Sequence, residues 1–177
     1  MKIFLLFLLI LIVSSVCPAQ KKGETTMKVK VYFSDSRNNE NFADCARVRA
    51  VTRTIPKTSA VAKAALEELF KGPTKAEEAD ELSSFFSEDT KDILISVKIK
   101  NGAAYVNLKG KVIEKLGNAA TSCGGAGYDA SVEKTLKQFP AIKKIFFAIE
   151  GDPALYYDWM QIGECPKELK NCSGKNF

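Results

Sequence analysis

The strongest constraint on the fold is a strand-turn-strand pattern over residues 92–108. Ile93, Ile95, Val97 and Ile99 recur at every second position, which is typical of a strand with one buried face. Asn101-Gly102 follows, and this dipeptide tolerates the positive φ angles of a two-residue hairpin turn. A second apolar run begins directly afterwards and ends at residue 108. The sequence therefore predicts two antiparallel strands that meet at this turn.

Similar periodicities divide the rest of the chain into strands and helices. Alternating or β-branched runs predict three further strands, at residues 27–33, 46–55 and 145–149. Helical spacing and helix-end signals predict three helices, from residue 58 or 59 to about 70, from Thr74 to about 82 with a Thr74/Glu77 capping box, and from 128 to 139. Residues 117–127, rich in small side chains, are predicted to form a loop.

The order of these elements predicts the fold class. It is β-β-α-β-β-α-β, with a second short helix after the first one, and no internal repeat interrupts it. We expect a single α+β domain in which helices pack on one face of a mainly antiparallel sheet.

The N-terminus has the features of a secretory signal peptide. Lys2 precedes an apolar run over residues 3–13, and small residues lead to Ala19. The run is too short to span a bilayer, which takes about 20 apolar residues. We expect cleavage of residues 1–19, a flexible leader at residues 20–26, and a mature protein that is secreted, periplasmic or on the cell surface. In the alternative, lipoprotein processing makes Cys17 a lipidated first residue that tethers the chain to a membrane.

Composition narrows the functional classes. Removal of residues 1–19 takes away one lysine and no acid, which leaves 25 basic and 21 acidic residues and a net charge of +4. Because the lysines are scattered, a solvated surface is favoured over a nucleic-acid interface. The chain has no histidine, which excludes Ser-His-Asp triads, Cys-His pairs and His-ligated metals. We predict no catalytic residue, no metal site and no cofactor.

Four cysteines remain after cleavage. An even number in an exported chain predicts disulfides, with three possible pairings. Cys165 and Cys172 enclose only a short segment, so they are expected to pair locally and leave Cys45 to bridge to Cys123. Zinc is disfavoured because histidines and a tight Cys-x-x-Cys pair are absent.

An aromatic cluster follows the last predicted strand. Tyr156, Tyr157 and Trp159 lie close together in residues 153–177, which are predicted to be a C-terminal extension with its own disulfide. Such residues are favoured in interfaces, and they also cover the ends of cores. We predict that these three aromatic side chains form a binding surface; core packing is the alternative.

Four segments resemble the GerMN domain and occur in the same order as in that domain, which is the sporulation and spore-germination domain of bacterial exported proteins and lipoproteins. They are Val29-x-Val31-Tyr32-Phe33, residues 65–74 with Glu77-Glu78, residues 101–108, and Thr135-Leu136-x-Gln138-Phe139-Pro140. The resemblance places a GerMN-like domain at residues 27–152. It implies a small α+β domain at the cell envelope without established enzymatic activity.

The function expected from these observations is a non-catalytic binding or assembly module of the cell envelope. Its expected partner is an envelope protein or a cell-wall polymer, with no nucleic acid, and with a membrane only if Cys17 is lipidated. Two alternatives are an enzyme that acts on wall glycan or peptide, and a structural, lipid-tethered spacer.

Overall fold

The computed structural model describes residues 25–37, 39 and 43–177. The predicted signal peptide, most of the leader and Cys17 lie outside the described residues. Among the described helices, none is long and apolar enough to cross a membrane. The helices and strands follow in chain order: β1 (Thr26–Asp35), β2 (Val48–Pro56), α1 (Val61–Leu69), α2 (Lys75–Ala79), β3 (Leu82–Ser83), β4 (Leu94–Lys100), β5 (Ala103–Leu108), α3 (Val112–Lys115), α4 (Ser122–Lys137), β6 (Lys144–Ile149) and α5 (Pro153–Trp159).

The strands form two small sheets, and the α+β class of a single domain is confirmed. One sheet has the order β2-β1-β3 and the other the order β4-β5-β6. The prediction of a single sheet is therefore wrong, although the pairing is mainly antiparallel, as expected. The exception is β6, which runs parallel to β5. A parallel neighbour requires a crossover connection, and α3 and α4 provide it.

The predicted hairpin and the predicted capping box are both confirmed. Asn101 and Gly102 have φ angles of 51° and 76°, the left-handed values that a tight two-residue turn requires. Thr74 accepts a hydrogen bond from the Glu77 N–H, and the Glu77 carboxylate accepts one from the Thr74 N–H. Local side-chain chemistry therefore fixes the start of α2 as the sequence predicts.

The predicted loop at residues 117–127 is wrong, because much of it is helical. A 3₁₀ turn covers Gly117–Ala120, and α4 begins at Ser122 with Thr121 as its N-cap. The glycines here permit close packing. A Cβ atom on Gly124 would lie 2.0 Å from the Asn118 carbonyl oxygen, and one on Gly127 would lie 3.2 Å from the Cys45 carbonyl oxygen. The low helix propensity of glycine hid the first turns of α4.

Two disulfides have the pairing that the cysteine spacing predicts. Cys45 bonds to Cys123 with a Cα–Cα distance of 5.3 Å, and Cys165 bonds to Cys172 with one of 5.6 Å. The first joins the segment before β2 to the first turn of α4. The second closes a local loop near the C-terminus.

The C-terminal segment belongs to the same hydrophobic core as both sheets. Leu169 and Phe177 are buried, and the Phe177 ring packs edge-on against Tyr105 with centroids 5.4 Å apart. The Lys98 Nζ donates a hydrogen bond to the backbone oxygen of Phe177. Because Tyr105 and Phe146 are register partners on one face of the second sheet, the segment covers that face.

Candidate functional site: the groove along strand β6

The predicted aromatic binding surface is wrong for two of its three residues. Tyr156 has no exposed surface and Tyr157 is 5% exposed, because α5 packs against β6 and turns both rings inward. Trp159 is half-buried, and its ring packs edge-on against those of Tyr128 and Tyr156. These aromatic side chains hold α5 on the core.

The described residues form instead an open groove along β6. Its volume is about 470 Å³. The floor is β6 itself, one wall is the exposed side of α4, and the other wall is the segment after α5. The groove is lined by Asp129, Glu133 and Lys137 of α4, by Lys143 and the first part of β6, by Tyr156 and Tyr157, and by Ile162, Pro166 and Glu168.

Strand β6 is an edge strand, and its free edge faces this groove. The N–H groups of Lys144 and Glu150 bond to carbonyl oxygens of Gly102 and Leu108 on the β5 side. In a parallel ladder the N–H and C=O of one residue point to the same side, and successive residues alternate. The backbone groups of Ile145 and Phe147 therefore point away from β5. Two bonds occupy part of this side: the Phe147 N–H donates to the Tyr157 hydroxyl, and the Ile149 N–H donates to the Asp152 carbonyl oxygen.

The wall after α5 presents apolar surface. Ile162 is 52% exposed, the highest value among the large apolar side chains that the structure describes. Pro166 continues this wall. The Cys165–Cys172 disulfide closes the loop that carries Pro166. A hydrophobic side chain exposed in this way gives an incoming partner an apolar contact.

Acidic and basic side chains line the rest of the groove in roughly equal number. Glu133 pairs with Lys137 one helical turn later, and Glu168 pairs with Lys144 at 2.8 Å. Asp129 and Lys143 form no ion pair with any described residue. These two charges are therefore available to a bound molecule.

The carboxyl group of Asp129 has an altered affinity for protons. Its surroundings desolvate the charged form and raise the pKa to about 6, and the neighbouring charge of Glu133 acts in the same direction. Burial likewise raises the pKa of the Tyr157 hydroxyl, although its hydrogen bond to the Phe147 backbone opposes this effect. The groove therefore contains one carboxyl group that titrates near neutral pH.

A second pocket lies beside the Cys45–Cys123 disulfide. Its buried acid, Asp35, faces the Arg37 Nε at 3.0 Å and the Arg49 Nε at 3.5 Å. The hydrogen bond from Arg37 lowers the pKa of Asp35. Because both carboxylate oxygens already face guanidinium groups, we interpret this cluster as an ion-pair network that supports the fold. Within the described residues, no group of three or more Cys, Asp and Glu side chains is placed to hold a metal ion.

The groove has no recognisable signature in the sequence. Its residues come from α4, β6, α5 and the segment near residue 166, and no motif joins them. One weak signal was present, since Asp129, Glu133 and Lys137 recur at four-residue spacing, which places them on one helix face.

Comparison with known proteins adds the family. A family model described as sporulation and spore germination, Germane, matches residues 30–155. No curated protein matches the chain. The tandem GerMN domains of the sporulation protein GerM from Bacillus subtilis are similar, with 22% identity, a TM-score of 0.50 and coverage of 71% of this chain. The first GerMN domain of the same protein aligns with 24% identity and a TM-score of 0.49, over 71% of this chain and 84% of that one.

The matches to solved structures establish the fold of this chain, and the family model establishes its family. This chain spans 39% of the tandem-domain structure, and at 22% identity the likeness concerns the fold alone. The groove wall formed by Ile162, Pro166 and Glu168 lies beyond the last residue that the family model matches. The family model itself covers well over half of the chain, in agreement with the sequence resemblance. The chain therefore belongs to the Germane family of sporulation and spore germination domains.

Proposed function

We propose that this protein is a non-catalytic binding module of the cell envelope and that it holds another envelope component in the β6 groove. The observation that carries the proposal is the combination of an open strand edge with two unpaired charges and an exposed isoleucine in one groove. Such a surface provides backbone, ionic and apolar contacts together, as binding surfaces do.

The chemistry of the groove favours binding over glycan or peptide hydrolysis. A glycosidase needs two carboxyl groups with separate roles on either side of the scissile bond. Here Glu133 and Glu168 are paired with lysines, which leaves Asp129, with its raised pKa, as the one described groove carboxyl group without an ion-pair partner.

Features of the chain support a location outside the cytoplasm. The N-terminal apolar run has the length of an export signal, and two disulfide pairs require an oxidising compartment to form and persist. The family contains sporulation and germination domains, which fits a role at the cell envelope.

Photo-crosslinking from the groove tests the proposal. A photoreactive amino acid at Lys143, in the full chain made by its own organism, should yield a specific adduct with an envelope protein or wall fragment. The same amino acid at Lys57, an exposed lysine at the end of β2 away from the groove, is the matched control. Asp129→Lys should abolish the Lys143 adduct without affecting folding. Equal adducts from Lys143 and Lys57, or none from either, would contradict the proposal.

A further inference from the structure

We propose that the groove binds an extended segment of a partner polypeptide, which adds to β6 as a new edge strand. The inference rests on the binding role proposed above and specifies the partner's chemistry. The hydrogen bonds would use the groove-facing N–H and C=O of Ile145 and the C=O of Phe147, and the charges of Asp129 and Lys143 would fix the direction of the segment.

The free backbone groups of β6 are the first argument. Ile145 directs both its N–H and its C=O away from β5, and Phe147 directs its C=O the same way while its N–H bonds to Tyr157. The Ile145 pair and the Phe147 C=O are therefore spaced for pairing with another strand. The far end of the edge is already closed, because the Ile149 N–H bonds to the Asp152 carbonyl oxygen at 3.0 Å. The open part therefore accommodates a short extended segment, as in known β-strand addition.

The two walls decide between a segment and a whole domain. Helix α4 and the segment around Pro166 both line the groove along the floor strand. A second copy that offered its own β6 edge would bring its own two walls into the same space. A single extended chain meets no such obstacle, since it brings only a backbone and alternating side chains.

The charges give the groove a direction. Lys137 ends α4 and leads through a short turn to Lys143, so the basic end lies where β6 begins. Asp129 lies eight residues earlier on α4, about 12 Å along the helix axis. Its charge acts on Tyr156, which stacks on Phe147, so the acidic end lies further along β6 than Lys143.

This polarity defines the complementary partner. Antiparallel pairing is the commoner arrangement. An antiparallel segment has its amino end beside Asp129 and its carboxyl end beside Lys143. The partner segment should therefore carry a basic residue toward its amino end, an acidic residue toward its carboxyl end and β-branched residues between them. The exposed Ile162 side chain provides an apolar contact for one of the latter.

A synthetic peptide tests the proposal directly. The probe is acetyl-Lys-Thr-Val-Thr-Val-Thr-Glu-amide, added to the exported mature chain with both disulfides intact. Amide NMR should show perturbation of Ile145 and Phe147, and at least ~10-fold slower exchange of the Ile145 N–H at saturation. The peptide with Lys and Glu exchanged should bind at least ~10-fold more weakly, equivalent to about 1.4 kcal/mol.

Two changes separate backbone pairing from contact by side chains alone. Methylation of the peptide nitrogens that face β6 should weaken binding at least ~10-fold, whereas methylation on the opposite edge should not. In the protein, Ile145→Pro removes an N–H that does not bond to β5, so the β5 pairing can persist. Ile99→Pro is the control, because the Ile99 N–H points away from β5 on β4, which forms the opposite edge of the same sheet. If Ile145→Pro fails to fold, the methylated peptides still decide the question.

The outcomes distinguish this inference from the function on which it rests. If neither peptide binds but a peptidoglycan fragment shifts the same amides, strand addition is overturned and the groove remains a binding site. If dilution of the protein alone shifts the Ile145 amide, the occupant is a second copy, and strand addition by a foreign segment is again overturned. Binding that is insensitive to methylation also refutes it. If the Lys143 crosslink is absent as well, the proposed function fails too.

Discussion

The ring of Tyr156 stacks on the ring of Phe147, with centroids 4.6 Å apart and planes inclined by 13°. The pair joins α5 to the strand that forms the floor of the groove. It also explains why an aromatic cluster that suggests a binding surface in the sequence is part of the core in the folded chain.

Truncation of Tyr156 is expected to destabilise the protein strongly. Tyr156→Ala empties a fully buried aromatic site and should lower the free energy of unfolding by about 3 to 5 kcal/mol. Tyr156→Phe retains the stacked ring and should cost far less. Urea unfolding followed by far-UV circular dichroism measures both values. If the two variants were equally stable, the stacked ring would not be the stabilising feature.

Elements with local signals could be predicted from the sequence, whereas elements fixed by tertiary contacts could not. The hairpin at Asn101-Gly102 and the Thr74 cap depend on neighbouring residues alone, and both were found. Helix α5 follows Asp152, which accepts hydrogen bonds from the N–H groups of Ala154 and Leu155, but its inward face is evident only once β6 is in place. The same applies to the parallel pairing of β6, since strand periodicity carries no information on direction.

The glycines at the start of α4 should respond oppositely to substitution. Gly124→Ala places a Cβ 2.0 Å from the Asn118 backbone oxygen, which must shift, so stability should fall by about 1 to 3 kcal/mol. Gly125→Ala meets the Ala119 oxygen at 3.5 Å, an ordinary contact, and should raise stability by about 0.5 to 1 kcal/mol. Thermal unfolding of the two variants checks the prediction. A stabilising effect at Gly124 would show that the 3₁₀ turn before α4 is adaptable.

The two disulfides should contribute unequally to stability. Loss of the Cys45–Cys123 bond, which spans 78 residues, should cost about 4 to 5 kcal/mol in the chain-entropy model. Loss of the Cys165–Cys172 bond, which spans 7, should cost about 2 to 3 kcal/mol. Paired Cys→Ala variants, compared by urea unfolding without reductant, give both values. Non-reducing peptide mapping of the unmodified chain should recover these two pairs, and a Cys45 linkage to Cys165 or Cys172 would refute the pairing.

Glu77 should stabilise the fold far more than Glu78, its neighbour on α2. Its carboxylate caps the helix and binds the Arg53 guanidinium on β2, and both side chains are 16% exposed. Glu77→Ala should therefore lower stability by about 2 kcal/mol, and Glu78→Ala by less than about 0.5 kcal/mol. The hydrogen bond from Arg53 lowers the Glu77 pKa, so this stabilisation should be lost as pH falls through the lowered value. Chemical denaturation of both variants at pH 7 and pH 3 measures the difference.

The groove was hidden from sequence analysis for a physical reason. The β6 edge, the α4 face and Ile162 become neighbours only after the chain has crossed from β5 to β6 and turned back along α5. No single segment carries the signal. The charge of Asp129 looks ordinary in the sequence, and its raised pKa comes from desolvation in the folded state.

That raised pKa predicts a pH dependence of stability. In the folded chain Asp129 binds its proton with a pKa of about 6, above the ordinary value of 3.8. The folded state therefore holds more protons than the unfolded state between about pH 4 and 6, and this group makes the protein less stable as pH rises through that window. Asp129→Asn removes the effect and should stabilise the protein at pH 7, on the order of 1 kcal/mol after allowance for solvent screening, with no gain at pH 4.

The comparison of Asp129→Asn with a matched variant isolates this group. Other charged and titratable side chains line the same groove and contribute to the electrostatic potential at Asp129. They are Glu133, Lys137, Lys143, Lys144, Tyr156, Tyr157 and Glu168. Glu133→Gln removes a nearby carboxylate without removing Asp129, so it should lower the Asp129 pKa and leave part of the pH dependence in place. Carbon-detected NMR titration of the Asp129 carboxyl carbon gives the pKa directly. A midpoint near 4 in the free protein would contradict the desolvation argument. A midpoint near 6 that falls when the complementary peptide is bound would place a basic residue of the partner beside this carboxylate.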